Sequence, residues 1–257
     1  MGEFQPLSTA SFWHSGTQPR LVATDMDGTL TYRGQFTPAL LQGLERLRAA
    51  AMPVVMVTGR SAGWVHSLAH YLPMAGAMAE NGGVYFSGPA AAPELVVDIP
   101  DIPTHRKKLG ELFAQLQPRC PQIQVSGDNQ FRLTDWTFDV QGLSPEDLET
   151  LASTCQTLGW GFIYSTVQCH LFQPGQSKAA GLQRVLGRYF PDISPAEVIT
   201  VGDSPNDVSL FDPAAFPNSV GVANVKDYWG QLAYHPACVT NRPEVDGFLE
   251  IVEALLG

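Results

Sequence analysis

Asp25-Met26-Asp27-Gly28-Thr29 follows a short apolar run, Leu21-Val22-Ala23, and places two carboxylates two residues apart at the exit of an expected strand. Strand alternation alone would send both side chains the same way. A loop beginning at Asp25 aims them instead at different parts of one substrate. Three other polar groups recur at similar places: Thr58 in Thr58-Gly59-Arg60, Lys178, and the run Gly202-Asp203-Ser204-Pro205-Asn206-Asp207. Phosphoryl transfer needs a nucleophile, an acid for the leaving oxygen, and positive charge around the transferring group. A carboxylate can be the nucleophile, forming an acyl phosphate that water hydrolyses. Magnesium takes hard oxygen ligands, which Asp25 and Asp203 can supply. Taken singly the groups have plainer readings. Aspartate beside glycine is a common turn former, Thr58 suits a helix entry, and Lys178 a solvated first turn. The reading of a site rests on their order and joint placement.

The elements that would position these groups alternate. Residues 21–24 read as a buried strand. Thr37-Pro38 opens a helix, as cap and first residue, with Leu40, Leu41, Leu44 and Leu47 on one face. Residues 53–57 form a second strand, Ser61 caps a helix to about Leu72, and residues 75–79 form a third strand before Glu80-Asn81-Gly82-Gly83. Strand-helix repetition is the rhythm of a doubly wound parallel sheet. It resumes with a helix from Lys178 to Tyr189, a strand over 197–201, short strands at 220–222 and 238–240, and a closing helix over 244–256. Ligands of such sheets gather beyond the carboxyl ends of the strands, where Asp25, Thr58 and Asp203 fall.

Between the two halves the pattern changes. Strands are expected at 84–86 and 95–98, a helix over 104–117, strands near 122–125 and 130–140, a helix from Ser144, and strands at 161–165 and 167–172. The expected organisation is therefore a leader at residues 1–20, flexible and patternless, an α/β domain from 21–83 plus 174–257, and an inserted α+β domain at 84–173. Thr166, Gln168 and His170 alternate along one expected strand and share a face. That face is either solvated or turned to a substrate. Arg132 and Asp135 read as an ion pair in preference to a substrate contact. Arg60 is equally suited to a surface salt bridge and to a substrate.

With 257 residues, 44% of them hydrophobic, the chain has enough material for a sizeable core. A formal net charge of -10 argues against nucleic acid. It leaves phosphorylated small molecules open, because a bound cation supplies local positive charge. Cys120, Cys155, Cys169 and Cys238 lack zinc-site spacing. No apolar run is long enough for a bilayer, and no basic start precedes an apolar segment. A cytoplasmic protein with reduced thiols is expected. Assembly state has no signature here.

The four motifs, in this order, resemble those of the haloacid dehalogenase superfamily: DxDGT at Asp25 to Thr29, a strand-end Thr at Thr58, a lysine at Lys178, and GDxxND at Gly202 to Asp207. The resemblance runs from about Leu21 to the C-terminus. It implies a Rossmann-like doubly wound core with an inserted cap. An αββαββ insert between the second and third motifs is similar to the C2B-type cap of the branch holding the Cof-like phosphatases, sucrose-phosphate phosphatase and phosphomannomutase. Ser204-Pro205, and Ser177 before Lys178, depart from frequent Cof-like residues.

Carried over to this sequence, the resemblance implies Asp25 as nucleophile and Mg2+ ligand. Asp27 would be the general acid/base, touching the metal through its carbonyl. Thr58 would orient phosphate, and Lys178 would stabilise negative charge. Asp203 would be a direct metal ligand, and Asp207, with Asn206, would order the metal's surroundings or Lys178. Gly59, Arg60, Asn81, Gly82, Asn206 and the cap's His170 are the expected substrate contacts. The implied activity is Mg2+-dependent hydrolysis of a small phosphorylated metabolite, a sugar phosphate first, through an aspartyl phosphate. A phosphomutase using the same phosphoaspartate is the alternative, and a non-catalytic metabolite-binding module the alternative of another class.

Overall fold

The computed structural model describes residues 5–10, 18–89 and 91–257. In chain order, β1 (Leu21–Thr24), α1 (Pro38–Ala49), β2 (Val54–Val57), α2 (Ala62–Tyr71), β3 (Gly76–Ala79), β4 (Val84–Phe86) and β5 (Glu94–Leu95) come first. Next are α3 (Ile102–Leu116), β6 (Asp135–Asp139), α4 (Pro145–Thr157), β7 (Gly161–Tyr164) and β8 (Gln168–Phe172). The last group is α5 (Lys178–Tyr189), β9 (Val198–Gly202), β10 (Ser219–Gly221), β11 (Cys238–Val239) and α6 (Glu244–Leu256).

Two sheets result. The larger has the order β11-β10-β9-β1-β2-β3-β4-β5, and the smaller β6-β8-β7. From β11 to β3 every pairing is parallel. Strand alternation splits the buried residues between two faces. Val22, Val54 and Met56 pack with Leu40, Leu44 and Leu47 of α1 and Phe248, Ile251 and Val252 of α6. Leu21, Ala23, Val55 and Val57 pack with Leu182, Val185 and Leu186 of α5. This is the doubly wound α/β core that the alternation predicts.

Local detail departs from expectation in four places. Leu41 is 44% exposed. At 100° per residue it stands at the rim of the stripe made by Leu40, Leu44 and Leu47. Within the expected leader, the Val239 amide donates to the Gln5 carbonyl at 2.9 Å, and Leu7 and Ala10 are buried in the core. Residues 5–10 are thus packed along β11, while residues 1–4 and 11–17 lie outside the described residues. Strands β4 and β5, expected to open the insert, pair antiparallel at the edge of the large sheet. The expected strand at 122–125 shrinks to one bridge, Val125 with Phe138. Pro121 before it and Gly127-Asp128-Asn129 after it favour turns, so the small sheet has three strands.

In that small sheet α3 and α4 cover one face. Leu109, Leu112, Phe113 and Leu151 pack on Phe138, Cys169 and Leu171. The alternate residues, Asp135, Thr137, Gln168 and His170, face the other way. The register pairs Thr137 with His170 and Asp139 with Gln168. Among the described residues no helix is long and apolar enough to cross a membrane.

Candidate active site

Parallel neighbours β9, β1 and β2 end side by side, about 4.8 Å apart, so the residues that follow them meet. The Asp25 amide donates to the Val201 carbonyl at 2.9 Å. Gly28 adopts φ +80, and a Cβ there would lie 2.5 Å from Asp203 Oδ2. Glycine is what lets the turn after Asp27 close against Asp203.

Lys178 enters from the first turn of α5, where Ser177 Oγ accepts from the Ala180 amide at 3.1 Å. Its buried Nζ donates to Asp25 Oδ1 at 2.5 Å and to Asp207 Oδ1 at 2.6 Å. Asp207 Oδ2 accepts from the Asp203 and Ser204 amides. Asp203 accepts from Thr29 Oγ1 at 3.1 Å and Asn224 Nδ2 at 2.9 Å. Oxygens of Asp25, Asp203 and Asp207 lie within 4.8 Å of one another.

Three buried carboxylates around one ammonium are electrostatically crowded. Burial, and then the charges of Asp207 and Asp27, push Asp25 up to about 7 against the pull of Lys178. Asp203 is raised well above the ordinary carboxylate range by burial, Asp25 and Asp207. Such a set of hard oxygens with surplus negative charge fits a divalent cation. The Asp27 carboxylate is outside this set. Arg60 holds both its oxygens, Nε to Oδ2 at 2.8 Å and Nη2 to Oδ1 at 2.7 Å, and lies over the Trp64 ring. In this structure Arg60 is therefore an ion-pair partner, and its pair faces the site.

Thr58 is buried, and its Oγ1 accepts from the Arg60 amide at 3.2 Å. Asn81 Oδ1 accepts from Asn206 Nδ2 at 3.2 Å, while Asn81 Nδ2 is buried without a partner among the described residues. Glu80 and Asn81 both adopt left-handed backbone, at φ 53 and 50. Each such non-glycine residue costs on the order of 1 kcal/mol or more, and two amides hold the pair: Glu80 N donates to Arg60 O and Asn81 N to Thr58 O. Gly82 is not among the residues lining the cavity. A Cβ on it would meet the Ser177 carbonyl at 2.1 Å, so it packs this turn closely on α5.

The underside of the small sheet closes over these groups. Asp135 accepts from Arg132 Nη1 at 2.9 Å and lies 2.8 Å from His170 Nδ1. Arg132 also donates to Asp128, to Gln168 and, across the two sheets, to the Gly59 carbonyl at 3.0 Å. The ion-pair reading of Arg132 and Asp135 holds. Thr166 is not in a strand. Ser165 Oγ accepts from the Val167 and Gln168 amides, and that turn delays β8 until Gln168. Asp25, Asp27, Thr58, Gly59, Arg60, Ser204 and Asn206 from below and Ser165 to Gln168 and His170 from above enclose a cavity of about 10 Å³. That is about the least one water needs, so the arrangement shown leaves no room for a substrate.

Two positioning groups had escaped the sequence reading. Glu80, buried, accepts from the Ala62, Leu133 and Thr134 amides and from Thr134 Oγ1. It caps α2, the duty expected of Ser61, and ties the insert to the core. Asn224 binds Asp203 and the Gly28 carbonyl. It follows the end of β10, so the strand-end rule that found Asp25 also points to it.

A family model described as haloacid dehalogenase-like hydrolase matches residues 22–100 and 145–252. A phosphoglycolate phosphatase of Haloarcula marismortui is 32% identical over 243 residues, covering 93% of this chain and 97% of its own length. One of Methanothrix thermoacetophila is 28% identical over 242 residues, covering 90% and 95%. Among solved structures, a Thermoplasma acidophilum protein aligns with TM-score 0.75 and 20% identity over 93% of this chain and 98% of its own. The sucrose-phosphatase of Synechocystis, in complex with sucrose and phosphate, aligns with TM-score 0.64 and 17% identity over 93% and 98%.

Proposed function

This chain belongs to the haloacid dehalogenase-like hydrolases, and from that premise we propose that it is a magnesium-dependent phosphomonoesterase acting on a small phosphorylated metabolite, a sugar phosphate first, through an aspartyl phosphate. The observation that carries the reading is the convergence of Asp25, Lys178, Asp207 and Asp203 on one buried point, with Asp27 beside it on a separate partner. A binding module has no need of two carboxylates with different partners.

The roles follow from the placement. Asp25 attacks phosphorus, and the ester P–O bond breaks. The leaving oxygen takes a proton from Asp27. Asp27 then removes a proton from water as the water attacks phosphorus, breaking the bond to Asp25 and releasing phosphate. Lys178 keeps Asp25 oriented and offsets phosphate charge, and the Thr58 hydroxyl donates to a phosphate oxygen. Because Arg60 occupies both Asp27 oxygens, it must release at least one before that proton moves. Asp25 and Asp203 are the direct ligands for Mg2+ in this reading, with Asp207 ordering the site and Asp27 contributing its carbonyl. Bound there, the ion would neutralise charge on the phosphate and the carboxylates. The cap is the part of 84–173 that carries the small sheet, and the core is 21–83 with 174–257, joined at its sheet edge by β4 and β5. Closure of the cap excludes bulk water.

Release of inorganic phosphate from hexose phosphates and from a generic aryl phosphate, with Mg2+ present, tests the reading. Undiminished turnover after rigorous chelation would remove the metal. Isomerised sugar phosphate in place of free phosphate would make it a mutase, and tight binding with no turnover a binding module. The names of the two relatives favour a second substrate reading, phosphoglycolate.

The crowded carboxylates also predict a pH effect. Asp25 titrates in the fold near 7, against an ordinary 3.8. Its protonation therefore stabilises the metal-free fold fully below 3.8, and this contribution is lost as pH rises through about 7. Asp203, raised as well, acts with the same sign. Metal-free protein is expected to melt at a lower temperature at about pH 8 than at about pH 6, with Mg2+ restoring more at the higher pH. A scan of Tm against pH with and without the ion checks this.

A further inference from the structure

His170 sits on the cap face that closes the site, and its two ring nitrogens have different surroundings. Nδ1 lies 2.8 Å from Asp135 Oδ2. Both Asp135 oxygens also accept from Arg132 Nη1, at 3.0 and 2.9 Å. The Arg132 and His170 contacts outweigh burial and hold Asp135 below its ordinary range, so it is a carboxylate and only accepts. Nδ1 must then carry the proton. Burial lowers the pKa of His170 against the pull of Asp135, which leaves the ring neutral and Nε2 a bare acceptor. Nε2 has no hydrogen-bond partner among the described residues. A Cβ built on Gly59 would lie 3.2 Å from it, so this edge rests on the loop carrying Thr58, and the ring lines the cavity.

We propose that the Asp135–His170 pair reads a hydroxyl: Nε2 accepts a hydrogen bond from the alcohol part of the ester, so that esters of neutral polyhydroxylated alcohols are hydrolysed in preference to esters bearing a carboxylate. This rests on the phosphatase reading and narrows its substrate.

The charges around the cavity point the same way. Arg60 is the one cation among its lining residues, and two of its N–H groups are held by Asp27. Above it, both terminal nitrogens of Arg132 are committed to Asp128, Asp135, Gln168 and the Gly59 carbonyl. Gln168 is spent likewise, its Oε1 on Arg132 and its Nε2 on Asp128. A substrate carboxylate would meet the lone pair of His170 and the charge of Asp27, and it would have to compete with Asp27 for Arg60. A hydroxyl meets an acceptor already fixed in its tautomer, and Thr166 offers a further hydroxyl at the same rim. The inference therefore favours a substrate unlike the phosphoglycolate in the names of the relatives.

The test is kcat/KM on three classes of ester: hexose phosphates and glycerol phosphate, phosphoglycolate and phospholactate, and an aryl phosphate with neither group. The wild-type chain is expected to favour the hydroxylated class over the carboxylated class by about 10-fold or more. His170→Phe, which keeps the ring and removes the acceptor, is expected to lower the ratio of hydroxylated to aryl activity by about 10- to 100-fold. His170→Gln, which offers an amide oxygen in place of Nε2, is expected to recover part of that ratio. Wild-type preference for phosphoglycolate overturns the proposal, whatever the variants do. So does a His170→Phe protein that loses activity equally on all three classes. Failure of the wild-type protein to hydrolyse any ester, the aryl phosphate included, overturns instead the phosphatase reading on which the proposal stands. Nitrogen chemical shifts of His170 give a readout free of substrate, and a proton on Nε2 in place of Nδ1 also overturns it.

Discussion

Asp25→Asn is expected to abolish hydrolysis of a generic aryl phosphate, by about 10⁴-fold or more in kcat, as loss of a nucleophile does. The asparagine has nearly the shape of the aspartate, and its oxygen can still accept from Lys178 Nζ, which lies 2.5 Å from Asp25 Oδ1. It cannot form an acyl phosphate. Folding should not be the cause of the loss. Asp25 is crowded by Asp207 and Asp27, and burial with those charges already raises its pKa to about 7. Taking one negative charge out of that cluster relieves the metal-free fold, so Tm without Mg2+ should stay level or rise at alkaline pH. Activity and Tm measured together separate the outcomes. Retained full activity would sink the covalent mechanism, and a large drop in Tm would show that the charge balance around Asp25 has been misjudged.

The residues of the core site were readable because each stands where a simple rule puts it. Asp25, Thr58 and Asp203 end apolar runs that can only be buried parallel strands, and β9, β1 and β2 are neighbours in the sheet. Lys178 follows a serine that caps its helix. The rules that failed were those needing a distant partner. Glu80 carried no signal of its own because its donors at Leu133 and Thr134 lie 53 and 54 residues away, in the insert. Arg60 offered two readings because its choice of Asp27 depends on how the loops after β1 and β2 are stacked. Gly82 is a substrate contact only in what the resemblance implies, and the glycine's close approach in the structure is to the Ser177 backbone. On the cap the period-2 pattern correctly put Gln168 and His170 on one face. It took in Thr166 as well because nothing in an alternating pattern announces that the serine just before it has turned the chain.

Lys178→Met should produce the largest combined effect, because the side chain is the sole counter-charge donating to two of the three buried carboxylates. Burial works against its charge, but Asp207 and Asp25 outweigh burial and hold its pKa above the ordinary 10.5. Methionine fills a similar volume and donates nothing. Asp207 keeps the Asp203 and Ser204 amides on its other oxygen, whereas Asp25 Oδ1 loses its one side-chain donor. Breaking a buried pair by removing one partner costs about 3–5 kcal/mol. For a chain of this size that is a fall in Tm of about 6–20 °C. The fall should be larger above pH 7 than below it, since protonating Asp25 removes the uncompensated charge. Mg2+ should recover part of the stability, because it also neutralises the carboxylates. It should not recover hydrolysis, because the ammonium that orients Asp25 and offsets phosphate charge is gone. A variant whose Tm is unchanged at both pH values would mean that Asp25 and Asp207 do not depend on Lys178, and a variant that regains turnover with Mg2+ would remove the lysine from the chemistry.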